Sequence, residues 1–184
     1  LDEAARALGI QFIVRDLSLM EGPDLAGLPI ITGDQTRCAA PAFLPRDGKG
    51  LIVFEELNRA PRYTRAPCLQ LLTTRHLNDY TLPPGWLPVG AINPAGGDYG
   101  DVDELDKALL ARFIQIDVRP SSKNWLTWAE KHEVHVAVRE FVRATPKIFD
   151  TTDSNPRAWK YVSDVLHRCE KHKFGKETLL PVLA

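Results

Sequence analysis

The chain has 184 residues, 44% hydrophobic and 26% charged, with a formal net charge of -1, which predicts one compact unit or a main domain with a small appendage. The near-zero charge gives no sign of a general affinity for nucleic acid or acidic membranes, and neither a membrane-spanning run nor a signal peptide is visible. The 3 scattered cysteines fit a reducing cytoplasm better than a disulfide framework, so we expect a cytoplasmic protein.

The first quarter of the chain predicts a helix, a strand and a long irregular segment. Residues 1–8 have a helical composition, and Gly9 stands where glycine commonly ends a helix. Residues 10–14 predict a first strand. Residues 17–45 contain several glycines and prolines, which predict mainly loop with short helical turns.

The central feature of the sequence is a short apolar strand that ends in two carboxylates. Residues 51–54, Leu-Ile-Val-Phe, are typical of a strand buried on both faces of a parallel sheet. Glu55 and Glu56 follow at its carboxyl end, where ligands bind in open α/β sheets. Carboxylates there can hold a divalent cation and polarise a water. An exposed acidic strand end is the alternative, which so short a pattern leaves open.

A helix, a hairpin and a strand are predicted next. Residues 62–74 follow Ala60-Pro61 and keep helical spacing of the small and apolar positions Ala66, Leu69, Leu72 and Thr73. Residues 75–86 predict a hairpin that turns at Asn78-Asp79. Residues 87–92 predict another strand, which ends at Asn93-Pro94.

The α/β part of the chain is expected to close with a helix and a strand. Residues 95–100 are a glycine-rich loop. Residues 102–113 predict an amphipathic helix, with Asp101 and Asp103 near its N-terminus and Leu105, Leu109 and Leu110 facing inward. Residues 114–118 alternate between apolar and polar side chains and predict a last strand.

Beyond Pro120 the pattern predicts helices alone. Ser121 or Ser122 caps a helix that runs to residue 131, a second covers residues 134–143, and a third covers residues 156–172 with Pro156 in its first turn. We therefore expect an α/β domain over residues 1–119 and a small all-α lid over residues 120–184.

Polar residues lie at the ends of several predicted elements, and their order along the chain indicates more about function than any one of them does. Asn93 before Pro94 is a common turn former, and Arg112 at a helix C-terminus complements the helix dipole. Together with the Glu55-Glu56 pair, their order and spacing resemble the AAA+ ATPases, and within them the MoxR-like group.

The resemblance covers essentially the whole chain. Residues 51–56 look like the Walker B strand, extended by Leu-Asn-Arg-Ala-Pro as in this group, and Ala-Ile-Asn-Pro at 91–94 looks like sensor 1. Residues 105–113 look like the segment that ends in the arginine finger, and Asn-Pro-Arg-Ala-Trp at 155–159 looks like the start of the sensor 2 helix. Residues 24–29 and 43–45 match the group's loop before Walker B.

The resemblance implies a P-loop NTPase-type parallel sheet with a helical lid, and an ATPase that uses ATP and Mg²⁺. Glu55 would sit near Mg²⁺, and Glu56 would polarise the attacking water. Asn93 would orient that water or the γ-phosphate. Arg112 would reach the nucleotide of a neighbouring subunit, and Arg157 would contact the phosphates. Phosphoryl transfer needs this kind of positioning and positive charge.

The resemblance also implies partners. We expect a hexameric ring of identical subunits that remodels or assembles a protein client, beside a von Willebrand factor A-domain protein, with no membrane. One alternative is a DNA-acting AAA+ motor, since related helicases share the hairpin before sensor 1, although the near-neutral charge disfavours nucleic acid. Another is a degenerate, non-enzymatic interaction module that has lost nucleotide chemistry through Glu55.

Two features depart from the family pattern. Glu55 replaces the Walker B aspartate and moves the carboxylate outward by about one C–C bond, which Mg²⁺ tolerates poorly. No Gly-x-x-x-x-Gly-Lys-Ser/Thr is present, and Asp-Gly-Lys-Gly at 47–50 leads into a strand instead of a helix. In the family that loop ends a central strand. We therefore expect the natural protein to continue upstream of Leu1, and this chain alone to be inactive and to bind nucleotide poorly.

Other candidate residues favour structural roles. His167 and His172 are five positions apart on one helix, off the i, i+4 spacing of a helical zinc pair, so neither they nor Cys169 predict a metal site. Cys68 has no supporting motif for a nucleophile. The remaining candidates are read as a solvated helix face (Arg62, Arg65), a solvated turn (Arg75, His76) and the lid core (Trp125, Trp128, Phe141, Trp159).

Overall fold

The computed structural model describes residues 1–93, 103–150 and 154–174, and the chain divides into two units, Leu1–Gln115 and Ile116–Ala184. The sequence predicted a boundary at residues 119–120. In the part of the chain described, no helix has both the length and the apolar composition that a membrane span requires.

The strands all lie in the first unit. In chain order they are β1 (Gln11–Asp16), β2 (Leu28–Thr32), β3 (Gln35–Ala39), β4 (Gly50–Glu55), β5 (His76–Leu77), β6 (Tyr80–Thr81) and β7 (Trp86–Gly90). β1, β4 and β7 form a parallel sheet with β4 in the middle, while β2–β3 and β5–β6 are separate antiparallel hairpins.

The helices are spread over both units. The first unit holds α1 (Asp2–Ala7), α2 (Gly22–Ala26), α3 (Arg62–Thr74), α4 (Lys107–Leu110) and a 3₁₀ turn at Leu17–Leu19. The second unit holds α5 (Ser122–Lys131), α6 (Val136–Ala144) and α7 (Pro156–His172). The predicted α/β class is thus confirmed for the first unit, and the described residues of the second form helices without strands.

The predicted central strand is confirmed. Ile52, Val53 and Phe54 of β4 are at most 1% exposed, because β1 and β7 cover both edges of the strand and helices and loops cover its faces. Pro88 lies in β7, an outer strand of this sheet, where a residue without an N–H group is tolerated. Parallel pairing brings the carboxyl ends of β4 and β7 to one edge of the sheet.

Helix α3 has the predicted bounds, but its buried face is only partly the predicted one. Of the four predicted positions, Leu69 and Leu72 pack against the core, whereas Ala66 and Thr73 are exposed. The fully buried residues are Thr64, Cys68 and Leu71. The two sets keep similar helical spacing, so periodicity alone did not separate them. The buried Thr64 hydroxyl donates a hydrogen bond to a backbone carbonyl at 3.1 Å, which lets a polar residue lie on the inner face.

The prediction of mainly loop for residues 17–45 was wrong for ten of them, because β2 and β3 pair there as a hairpin. The strands join through a two-residue turn at Gly33-Asp34, with Gly33 at a φ of 64°. Glycine favours that conformation at the first turn position. Glycines are common both in loops and in the turns of hairpins, so the composition of this segment did not distinguish the two structures.

The predicted helix over residues 102–113 is shortened to α4, capped by Asp106, whose carboxylate accepts a hydrogen bond from the Ala108 N–H at 2.8 Å. Asp101 and residues 95–100 lie outside the described residues. The predicted strand at 114–118 was wrong: Ile114, Ile116 and Val118 are 93%, 80% and 84% exposed, and no described strand pairs with this segment. A segment with alternating apolar and polar side chains forms a strand only where a neighbouring strand can pair with it.

The second unit forms the three helices that the sequence predicted. Ser121 caps α5, and α7 has the predicted bounds with Asn155 as its cap. Trp125 is buried in their shared core, with Trp128 and Trp159 packed against it. Phe141 is half exposed and stacks on Trp159 at 5.0 Å between ring centroids.

Candidate functional site

The carboxylate pair lies where β4 leaves the sheet. Glu55 is the last residue of the strand, and Glu56 turns the chain with a φ of 54°, a left-handed conformation that few non-glycine residues adopt. The Glu56 carbonyl accepts hydrogen bonds from the N–H groups of Arg59 and Ala60 at 2.9 and 3.0 Å, which closes a tight turn. This turn separates the two carboxylates, so that one belongs to the strand and the other to the turn.

Glu56 and Asn93 contact each other directly. The Asn93 side-chain amide donates a hydrogen bond to Glu56 Oε2 at 2.8 Å, and Arg59 Nε lies 3.4 Å from the same oxygen. Glu56 is half-buried, and its carboxylate is therefore oriented by an amide on one side and a cation on the other. The sequence predicted that these two residues share a site, and the geometry places them in contact across neighbouring parallel strands.

A buried asparagine that the prediction did not include holds this contact in place. Asn58 is 3% exposed, and its side-chain amide donates to the Asn93 carbonyl at 2.8 Å while its oxygen accepts from the Asn93 N–H at 3.1 Å. The Asn58 carbonyl accepts from the Asp103 N–H at 2.9 Å. One residue thus ties together the chain at positions 93 and 103. In the sequence Asn58 stands in the Leu-Asn-Arg-Ala-Pro segment that follows the two carboxylates, but no role was predicted for it.

Arg65 corrects a second prediction. Its side chain is 13% exposed and lies 2.8 Å from Asp103 Oδ2, so it does not belong to a solvated helix face. Its Nη1 atom is buried without a hydrogen-bond partner among the described residues. Asp103, predicted to stabilise a helix N-terminus, instead neutralises this buried cation. Arg65 therefore joins α3, through an ion pair, to the same Asp103 whose N–H donates to the Asn58 carbonyl.

The other predicted site residues make no side-chain hydrogen bond or ion pair with Glu56 or Asn93 among the described residues. The Glu55 side chain is exposed and makes no hydrogen bond or ion pair with the described residues, so its carboxylate oxygens are open to a ligand. Arg112 is exposed just beyond α4 and makes no side-chain contact with Glu56 or Asn93 in the described ranges. Arg157 is exposed in the first turn of α7, in the second unit.

Two further candidates have structural partners. The Arg75 guanidinium donates to the carbonyls of Pro83 and Trp86 at 2.7 and 2.9 Å, so it holds the hairpin rather than forming the solvated turn that the sequence predicted. Burial raises the pKa of the Cys68 thiol, which keeps it protonated and a poor nucleophile. Neither residue is available for the chemistry of the Glu56 site.

Comparisons with known proteins give little beyond this geometry. No family model matches the sequence, and no curated protein matches it. Among solved structures, NtrX from Brucella abortus is similar over 85% of this chain, at 11% identity and a TM-score of 0.46. The chain spans 39% of the length of that NtrX chain.

Proposed function

We propose that the chain is the catalytic part of an ATP-hydrolysing AAA+ protein of the MoxR-like type, with a P-loop NTPase-type sheet. The observation that carries the proposal is the 2.8 Å hydrogen bond from Asn93 to Glu56 at the carboxyl ends of neighbouring parallel strands. A carboxylate that orients water, with an amide beside it, is what hydrolysis of a phosphoanhydride requires. The sequence resemblance supplies the rest of the assignment.

The exposed carboxylate at the end of β4 fits a hard cation. Mg²⁺ prefers carboxylate oxygens and keeps several of its waters, so a single open side chain such as Glu55 suffices on the protein side. Glu55 would hold Mg²⁺ in this proposal, and bound ATP with Mg²⁺ would supply the γ-phosphoryl group. The longer side chain in place of aspartate favours slow turnover.

Each remaining residue has a positioning or electrostatic task. Glu56 holds the attacking water and accepts its proton, while the Asn93 amide keeps that carboxylate in one orientation. Arg112, exposed on the first unit, would be donated to the site of a neighbouring subunit. Arg157 would meet the phosphates from the lid. Because Arg112 acts across an interface, the proposal includes a hexameric ring of identical subunits. The ring would act on a protein client, with a von Willebrand factor A-domain protein as a further partner.

The described residues contain no phosphate-binding loop of the Gly-x-x-x-x-Gly-Lys-Ser/Thr type, and the sequence has none. The proposal therefore requires a phosphate-binding loop from outside these 184 residues, and a longer chain that includes such a loop is compared with the 184-residue chain. Titration of both chains with a fluorescent ATP analogue separates the possibilities. The longer chain should bind and the 184-residue chain should not, and equal affinity would contradict this part of the proposal.

The decisive experiment measures ATP turnover in the longer chain. Glu56→Gln and Asn93→Ala should each lower kcat by about 10²–10⁴-fold, because they remove the proton acceptor or its orienting amide. Glu140→Gln is the matched control, since Glu140 is an exposed carboxylate on α6 in the second unit, and it should leave turnover unchanged. Unchanged turnover in Glu56→Gln would refute the assignment.

A further inference from the structure

A cluster of three metal-ligating side chains lies in the second unit, independent of the Glu56 site. His135, His167 and Glu170 each offer a ligand atom, and these atoms all lie within 4.8 Å of one another. His135 caps the N-terminus of α6, and the other two are three positions apart on α7. Residues three apart on a helix lie on one face, so α7 presents both side chains toward the same point.

The cluster combines one largely buried side chain with others that are exposed to solvent. The His135 side chain is 11% exposed and that of Glu170 is 67% exposed. His135 Nε2 lies 2.9 Å from Glu170 Oε1, and the rings of His135 and His167 meet edge to face at 5.0 Å between centroids. A largely buried imidazole next to an exposed carboxylate gives an ion both a fixed ligand and access from solvent.

The tautomer of His167 is suited to a metal. Its Nε2 lies 2.9 Å from the backbone carbonyl of Glu133, and a carbonyl can only accept a hydrogen bond. Nε2 therefore carries the proton, which leaves the lone pair of Nδ1 available. Metal-binding histidines usually donate their second N–H to a carbonyl or carboxylate in this way, because the hydrogen bond fixes the ring and raises its basicity.

We propose that His135, His167 and Glu170 bind a divalent transition metal with the preferences of Zn²⁺, with water as the fourth ligand. Two imidazoles and one carboxylate are a donor set that zinc accepts in a tetrahedral site. Zinc bonds of about 2.0–2.2 Å require ligand atoms about 3.3 Å apart, so small side-chain rotations close the cluster. The bound ion would join the start of α6 to the last turns of α7.

Metal binding has a specific structural consequence at His135. His135 Nδ1 accepts a long hydrogen bond of 3.2 Å from the Ala137 N–H, so the proton lies on Nε2 and points to Glu170. Coordination through Nε2 moves that proton to Nδ1 and ends the hydrogen bond from Ala137. The amide of Ala137 is thus a reporter of coordination by His135.

The test is a titration of the 184-residue chain with Co²⁺, followed by displacement with Zn²⁺. We expect one equivalent of Co²⁺ to give the visible absorption of a four-coordinate site, and at least tenfold weaker binding in His167→Ala and in Glu170→Gln. His172→Ala, on the same helix outside the cluster, and Cys169→Ser, which removes a neighbouring thiol, should bind like the unchanged chain. Zn²⁺ should raise the Tm of the unchanged chain but not that of His167→Ala.

The Ala137 amide gives a second readout, which reports whether the metal binds at His135. Its NMR resonance should shift on addition of Zn²⁺ in the unchanged chain and stay in place in Glu170→Gln at the same metal concentration. Absence of stoichiometric binding would overturn the proposal. Equal binding in His167→Ala, or binding lost only in Cys169→Ser, would overturn it as well, because the ligands would then lie elsewhere.

Discussion

Replacing Asn58 tests whether the geometry of the Glu56 site depends on buried hydrogen bonds. Asn58→Ala removes two strong hydrogen bonds to the Asn93 backbone, at 2.8 and 3.1 Å, and a weak one to the Asp103 carbonyl at 3.4 Å. Each strong bond contributes about 1 kcal/mol, and the partners left unsatisfied add to the cost. We expect the free energy of unfolding of the first unit to fall by about 2–4 kcal/mol.

The isosteric substitution Asn58→Asp separates hydrogen bonding from packing. Aspartate fills the same volume and keeps one acceptor, but it sets an oxygen against the carbonyls of Asn93 and Asp103, where Asn58 presents N–H groups. It should therefore cost as much as Asn58→Ala, or more. If packing alone mattered, the aspartate variant would be benign. Gln70→Ala, an exposed change on α3, is the control and should stay within about 0.5 kcal/mol.

The assay has to observe the first unit alone. Trp86 is buried there, whereas the other three tryptophans of the chain lie in the second unit. In urea titrations of protein labelled with fluorotryptophan, the ¹⁹F resonance of Trp86 reports the unfolding of the first unit. A midpoint for Asn58→Asp that matches the unchanged chain would refute the reasoning.

Three further predictions concern the first unit. Burial raises the pKa of Tyr80, so the folded state favours the neutral phenol, and the stability this gives is present below the ordinary tyrosine pKa and lost as the pH rises above it. Tyr80→Phe should flatten this alkaline loss in pH-dependent unfolding, while Tyr63→Phe, at an exposed position, should not. Cys68 should resist alkylation in the native protein and react only on unfolding, as mass spectrometry of labelled peptides would show. Gly27→Ala should lower the Tm far more than Gly33→Ala. Both glycines have a positive φ, but only at Gly27 would an added Cβ meet a backbone oxygen, at 2.2 Å. Similar decreases in Tm for the two variants would contradict this reasoning.

The parts of the fold that sequence predicted are those fixed by local chemistry. β4 is an apolar run that begins at a glycine and ends at a carboxylate, and the β5–β6 hairpin turns at Asn78, whose φ is 49°. Helix α7 begins at a proline behind a capping asparagine. In each case a few neighbouring residues determine the backbone conformation, so the element can be predicted without knowledge of the tertiary structure.

The parts that sequence missed depend on distant partners. Residues 114–118 alternate as a strand does, yet no described strand pairs with them, and pairing is a property of two segments. Arg65 resembles a surface arginine until Asp103 is placed beside it. The Glu56–Asn93 contact was predictable from the strand-end rule, whereas Asn58, which holds it, could be identified only from its burial and its hydrogen-bond partners.

The left-handed backbone at Glu56 places local strain at the end of β4. A side chain in that conformation costs about 1–2 kcal/mol relative to glycine, and nothing in the turn itself requires a carboxylate. A glycine at this position would relax the backbone, and the same change would leave the Asn93 amide without its acceptor. A change to glycine would therefore remove the strain and the contact to Asn93 together, and these two effects on the free energy of unfolding oppose each other.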